Sequence, residues 1–238
     1  MNQIPAPVTR RPTARRLARY ARWWAADYVY AVYWQVRSLG RSHAGRYQTG
    51  HLNPVVVIPG IWETWAFMRP LVERVHAAGH PVFVLTSLGY NSRPVAASAE
   101  VVSRFIASNE LRDALIVAHS KGGLIGKYAM ARLDDSRLIS GMVAICTPFS
   151  GSRYAPFLLL PALRAFSPRD KTTVMLAQNL AVNSRIVSVY PEFDPHIPGS
   201  SELPGARNIQ LPTGGHFRIL AQPQTLEIVL GRYESAAT

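Results

Sequence analysis

Cysteine is almost absent from this 238-residue chain. Cys146 stands alone, so no internal disulfide forms, and no Cys-x-x-Cys or Cys/His cluster exists for structural zinc. Acidic residues are scarce as well, 14 against 26 Lys and Arg, for a formal net charge of +12. There is no internal repeat and no low-complexity tract beyond the first 22 residues. Nor is there a clean run of the about 20 apolar residues that span a bilayer. The nearest, residues 23–39 (WWAADYVYAVYWQVRSL), is broken by Asp27, Gln35 and Arg37. A charge near the centre of a spanning helix costs at least ~2.5 kcal/mol. What the chain does have is 48% hydrophobic residues, enough for one domain with a sizeable core, and this excludes global disorder.

The positive charge is unevenly spread. Residues 1–50 hold nine arginines and a single acid, Asp27, whereas residues 51–238 have nearly balanced charges. The chain therefore divides into a basic arm (1–50) and a body (51–238), and the arm asks for an anionic partner. At ~100° per residue, Tyr28, Val29, Val32, Tyr33, Val36 and Leu39 gather on one helical face, with Asp27, Trp34, Arg37 and Ser38 on the other. Three readings follow for the arm: a surface helix docked on the body through its Val/Tyr/Leu face, an interfacial membrane helix with peripheral contact through residues 10–39, or a signal peptide or signal anchor. Nucleic acid is not expected as a partner, since the arginines sit on no recognisable fold of that kind. A cytoplasmic location, with membrane association under the second reading, is the expectation.

The body alternates short β-branched runs with helical patterns. Strands are expected at 54–58, 81–85, 114–118, 141–146, 185–190 and 208–211, and helices at 65–78, 95–109, 121–132 and 223–230. This rhythm implies an α/β fold with a mostly parallel sheet of about six strands and helices on both faces. Residues 150–184 interrupt it as a lid-like insertion, with an apolar run at 156–166. Ser167, Pro168 and Asp170 then read as an N-cap, a proline at the first helical position and an acid at the third, opening a helix to about 182.

The most informative stretch is ALIVAHSKGGLIG, residues 114–126. A buried strand ends at Ala118 and turns through His119, Ser120 and Lys121 into a helix. This resembles the nucleophile elbow of the α/β-hydrolase superfamily, G-x-S-x-G, with Ala118 for the first glycine. A serine hydroxyl is a weak nucleophile until a neighbouring base takes its proton, and such an elbow exposes it to one. Pro59-Gly60-Ile61-Trp62, after the first strand, resembles the oxyanion loop of the lipase/esterase branch. In that resemblance the backbone N–H groups of Ile61 and Lys121 form the oxyanion hole. Residues 147–152 (TPFSGS) are similar to a Thr-Pro-His-x-Gly stretch of many lipases, with Phe149 for the histidine.

The superfamily's chain order is Ser, acid, His, so the partners lie after residue 120. His216, in the loop PTGGHF after the last expected strand, is the candidate base, and His196 lies earlier between prolines. Asp194 is the candidate acid, with Glu192 as alternative, because D-x-x-I-P resembles the Asp-x-x-Val-Pro that follows the family's acid. The resemblance covers residues 52–235. It implies a serine hydrolase cleaving carboxylic esters through a Ser120, His216, Asp194 triad, with no metal and no cofactor. An acyltransferase or thioesterase on the same triad, or a non-catalytic binding protein, stands as the alternative. The substrate would be a small-molecule or lipid ester, with Trp62, Phe149, Phe157 and Leu160 as candidate pocket residues.

Overall fold

The computed structural model describes residues 13–40, 43–134, 136–151 and 170–232. The pocket candidates Phe157 and Leu160, the apolar run 156–166 and the expected cap at Ser167 lie outside them.

Six strands, β1 (Val55–Ile58), β2 (Val82–Val84), β3 (Ala114–His119), β4 (Ile139–Ile145), β5 (Ile186–Phe193) and β6 (Arg207–Gly214), form one sheet in the order β2-β1-β3-β4-β5-β6. Every neighbouring pair is parallel. Parallel strands are buried on both faces, which is why each reads as a continuous apolar run. Alternate residues feed two cores. Val56, Ile58, Ile116 and Ala118 face the core beneath α3 (Val95–Ser108) and α4 (Lys121–Arg132). Val55, Val57, Val117 and Val143 face the other, beneath α2 (Arg69–Ala77) and the closing helix at Pro223–Val229. The chain leaves β1 for one side of the sheet and returns to its other side at β3. That reversal opens a crevice at the carboxyl ends of β1 and β3, where ligands of open α/β sheets bind.

Two expectations need correction. The described helix of the insertion, Lys171–Gln178, starts after an N-cap at Asp170 and ends before residue 182. The Asp170 carboxylate accepts from the N–H groups of Thr172 and Thr173 at 2.9 and 3.1 Å, so the acid serves as the cap itself. The second correction concerns the arm. Residues Ala14–Ser38 form α1, docked on the body as one reading expected, but through the opposite face. Asp27 and Ser38 are buried and Tyr30, Ala31 and Trp34 pack on the core, while Val29 and Val36 are 71% and 62% exposed. The aromatic rings on the Asp27 side bring more contact area than the valines opposite, and the carboxylate finds donors that repay its burial. No helix among the described residues is long and apolar enough to cross a membrane.

Candidate active site

Ser120 sits at the turn from β3 into α4 with φ 49° and ψ −119°, a conformation that non-glycine residues rarely hold. Backbone pairing fixes it there: its N–H donates to the Ile145 carbonyl at 2.8 Å, and its carbonyl accepts from Gly123 N–H at 3.1 Å. The turn is tight enough to exclude side chains. A Cβ on Gly122 would sit 2.3 Å from the Ile58 carbonyl oxygen, so the start of α4 rests directly on the loop leaving β1. That contact sets the Ile61 and Lys121 backbones beside the crevice. The Ile61 N–H meets no acceptor among the described residues, and the Lys121 N–H occupies the first position of α4, where no intrahelical acceptor exists. Neither amide is engaged by a backbone acceptor among the described residues. The Lys121 side chain turns away and is buried. Its Nζ donates to the carbonyls of Asn91, at 2.7 Å, and Arg93, tying the elbow to the loop after β2. Burial lowers this amine to about 8.

Asp194 and His216 follow the ends of β5 and β6, neighbours in the sheet. His216 Nδ1 and Asp194 Oδ2 lie 2.8 Å apart, both side chains nearly sealed from solvent. Asp194 Oδ1 accepts from the N–H groups of His196 and Ile197 at 2.8 and 3.0 Å. Burial alone would raise the Asp194 carboxyl, but the His216 charge, its hydrogen bond and the two N–H donors overcome this and bring it to about 2. Burial likewise works against the His216 imidazolium, and the Asp194 carboxylate more than offsets it, so His216 is displaced upward. Glu192, the alternative acid, points elsewhere and pairs with Arg19 at 2.6 Å. His196 lies tilted against His216, ring centroids 4.9 Å apart, with its Nε2 3.2 Å from the Tyr28 hydroxyl.

Three residues that the motifs did not single out hold these parts in place. His119, just before Ser120, is fully buried, with Nδ1 2.9 Å from Glu63 Oε2 and Nε2 3.0 Å from the His216 carbonyl oxygen. With both ring nitrogens occupied it is a strut, not a base. The same Glu63 oxygen accepts from Gly60 N–H at 2.7 Å, so one buried pair links the oxyanion loop to the histidine loop. The third is Asp27 of α1. Its Oδ2 accepts from His216 N–H at 2.8 Å, and its Oδ1 from Phe217 and Arg218 N–H at 2.8 and 2.7 Å. Burial outweighs these donors and holds its carboxyl above the ordinary value. A Cβ on Gly215 would lie 2.4 Å from Asp27 Oδ1, so the glycine beside His216 makes room for a helix over 180 residues away in sequence. The signals for these residues were polar intrusions in apolar runs: a lone acid among aromatics, a histidine inside a core strand.

A cleft of about 330 Å³ opens on this side, lined by Tyr28, Val32, Ile61, Trp62, Phe67 and Phe217 among others. Trp62 stands at this cleft. Phe149 does not: it is buried in the core under α3 and α4, its ring 5.8 Å from the Lys127 amine. A histidine at this position would meet the same core, which gives the aromatic replacement its physical reason.

One atom each from Cys146, Asp194 and His216 converges within 4.8 Å, a donor set that could hold a metal ion. The Asp194 and His216 members already bond to each other, and burial pushes the Cys146 thiol up. A protonated thiol is a poor ligand.

No protein-family model and no curated relative matches the sequence. Solved structures do match in shape. A lipase from Bacillus licheniformis, BlEst2, superimposes with a TM-score of 0.55 at 16% identity, over 81% of this chain and 94% of that one. A monoacylglycerol lipase from Paleococcus ferrophilus gives 0.55 at 14% identity, over 76% and 96%. An extracellular α/β-hydrolase from a Paenibacillus species gives 0.53 at 16%, over 75% and 97%. The six-stranded parallel sheet, its helices and these likenesses define an α/β-hydrolase fold.

Proposed function

We propose that this chain, an α/β-hydrolase by fold, is a serine hydrolase that cleaves carboxylic esters through an acyl-enzyme intermediate. The observation that carries the reading is the sealed Asp194–His216 pair, 2.8 Å apart, whose histidine carbonyl lies 3.0 Å from the ring of His119, the residue next to a serine held at φ 49° on a strand-to-helix turn. A strained serine and a charge-tuned histidine tied together in this way are costly to keep for packing alone.

In this mechanism His216 Nε2, the nitrogen not engaged by Asp194, takes the Ser120 Oγ proton as Oγ attacks the ester carbonyl. The carbonyl oxygen becomes an oxyanion on the Ile61 and Lys121 N–H groups. As the intermediate collapses, the C–O bond to the alcohol breaks and His216 gives its proton to the departing oxygen. Water then attacks the acyl-enzyme, passing a proton to His216, and Ser120 leaves as the restored hydroxyl. Asp194 holds the ring in the Nδ1–H tautomer and stabilises the imidazolium that forms twice per turnover.

The aromatic and aliphatic lining of the cleft favours an ester with an apolar acyl or alcohol group. The names of the lipase neighbours point the same way. The test is fluorophosphonate labelling of the full chain together with a panel of p-nitrophenyl esters of rising chain length. Labelling at Ser120, abolished in Ser120→Ala, and turnover that rises from acetyl to medium chains are expected. A folded protein that neither labels nor turns over any ester would overturn the hydrolase reading; a short-chain optimum would remove the apolar substrate.

A further inference from the structure

We propose that the outward face of α1 is a docking surface for an anionic lipid bilayer, with the helix lying in the interface plane. The helix docks on the body through Asp27, Tyr30 and Trp34, which leaves the opposite face bare. Val29, Val32, Val36 and Leu39, spaced at three and four residues, are 62% to 71% exposed. Such a continuous apolar stripe is unusual on a monomer surface and marks an interaction site. Its occupant is chosen by charge. Arg15, Arg22 and Arg37 are exposed beside the stripe, and residues 10–39 carry seven arginines against one acid. That acid, Asp27, is fully buried. A second copy docking face to face would oppose arginine with arginine, whereas phosphate headgroups neutralise them while acyl chains receive the valines. Tyr28 and Val32 also line the cleft with Trp62, itself 41% exposed, so a bilayer on this face meets the mouth of the site. The proposal deepens the lipophilic-ester reading but its test needs no turnover.

The experiment is co-sedimentation of the full chain with vesicles of phosphatidylcholine alone and of phosphatidylcholine mixed with phosphatidylglycerol, at low and high salt. Binding to the anionic vesicles, weakened by salt, is expected. Val29→Gln combined with Val36→Gln should reduce it about tenfold, as for two partly inserted valines. Neither residue lines the cleft, so hydrolysis of a soluble short ester by that variant should be unchanged. Ser120→Ala should bind vesicles as the parent does, which separates failure of the docking idea from failure of the catalytic one. The proposal is overturned by equal binding to both vesicle types, by no binding, or by a variant that binds undiminished. It is also overturned if the parent is a lipid-free dimer that the two substitutions dissociate.

The buried face of the same helix carries a second inference, resting on the proposed reaction. We infer that Asp27 is a positioning residue for His216. One carboxylate accepts the three consecutive N–H groups of residues 216–218, and Gln35, two turns on, donates to the Trp62 carbonyl at 3.1 Å. The helix thereby clamps both the histidine loop and the oxyanion loop. Asp27→Asn keeps the shape but points an NH₂ at backbone N–H donors, so kcat should fall between tenfold and a hundredfold with KM little changed. The rate of fluorophosphonate labelling should fall in parallel. Gln35→Ala, which keeps Asp27 and frees only Trp62, should show a smaller fall of the same kind. A merely structural role would lower the unfolding midpoint and leave kcat per folded molecule unchanged. That outcome, or a loss confined to KM, would refute the assignment.

Discussion

Replacing Asp194 by Asn tests the proposed reaction at a charge nearly sealed from solvent. In the folded chain this carboxyl is pulled from 3.8 to about 2, chiefly against burial and by His216. Moving from 3.8 to about 2 corresponds to about 2 kcal/mol in favour of the charged carboxylate. By linkage the part that comes from His216 favours the imidazolium, the species that forms in the proposed reaction as Ser120 gives up its proton, while the His196 and Ile197 N–H groups act on the carboxylate alone. Losing only that electrostatic support should slow kcat by up to ~30-fold. The amide also ceases to enforce the Nδ1–H tautomer, and if the ring turns over the loss approaches ~10⁴-fold. The pH profile separates the two. Catalysis needs neutral His216, so activity falls as pH drops through its pKa. Because that value is displaced upward, the parent's acid limb should lie above 6.5. In Asp194→Asn the limb should move to lower pH, since Asp27, Glu63, His119 and His196 remain in both proteins and cancel in the comparison. Steady-state kinetics on a soluble p-nitrophenyl ester from pH 5 to 9 supply both readouts. A variant within threefold of the parent, with an unmoved acid limb, would refute the assignment of Asp194 as the acid.

Other substitutions probe the frame. Gly122→Ala puts a methyl group 2.3 Å from a backbone oxygen that cannot swing away, so destabilisation on the order of 3 kcal/mol or outright failure to fold is expected by urea denaturation. Lys127→Met acts in the opposite direction. This amine is fully buried without a hydrogen-bond partner among the described residues, and burial lowers it from 10.5 to about 8. A depressed folded pKa contributes stability above 10.5 that is lost as pH falls through 8, which leaves a penalty of about 3 kcal/mol at neutral pH. Lys127→Met should therefore raise stability at pH 7, flatten its rise between pH 8 and 10, and leave ester turnover intact. An unchanged slope of stability with pH would show that the amine is solvated in solution.

The sheet was legible because parallel strands must be apolar throughout, and runs such as VVVI and ALIVA allow no other placement. The elbow was legible for a related reason: Ala118, Ser120 and Gly122 satisfy a steric condition local to nine residues. Asp194 and His216 followed from chain order and from the loops they occupy. What stayed hidden was long range. Nothing near His119 in sequence announces Glu63, 56 residues earlier. Phe149 was misplaced into the pocket because a motif position carries a role only with the family's side chain; with phenylalanine, burial decided.

The arm shows where pattern reasoning stops. Periodicity sorts residues into two faces of a helix but does not say which face meets the protein. The usual rule sends valines inward and the acid outward, and here it inverts. The inversion holds because three backbone donors at 216–218 stand unpaired without a helix, and buried N–H groups demand acceptors. A carboxylate that meets all three offsets its desolvation, while a valine in its place would leave them unsatisfied. The valines, released from packing, are then free to meet a different apolar phase, and the arginines beside them choose which. One helix thus joins the proposed lipid surface to the proposed base through opposite faces, with only its own width between them.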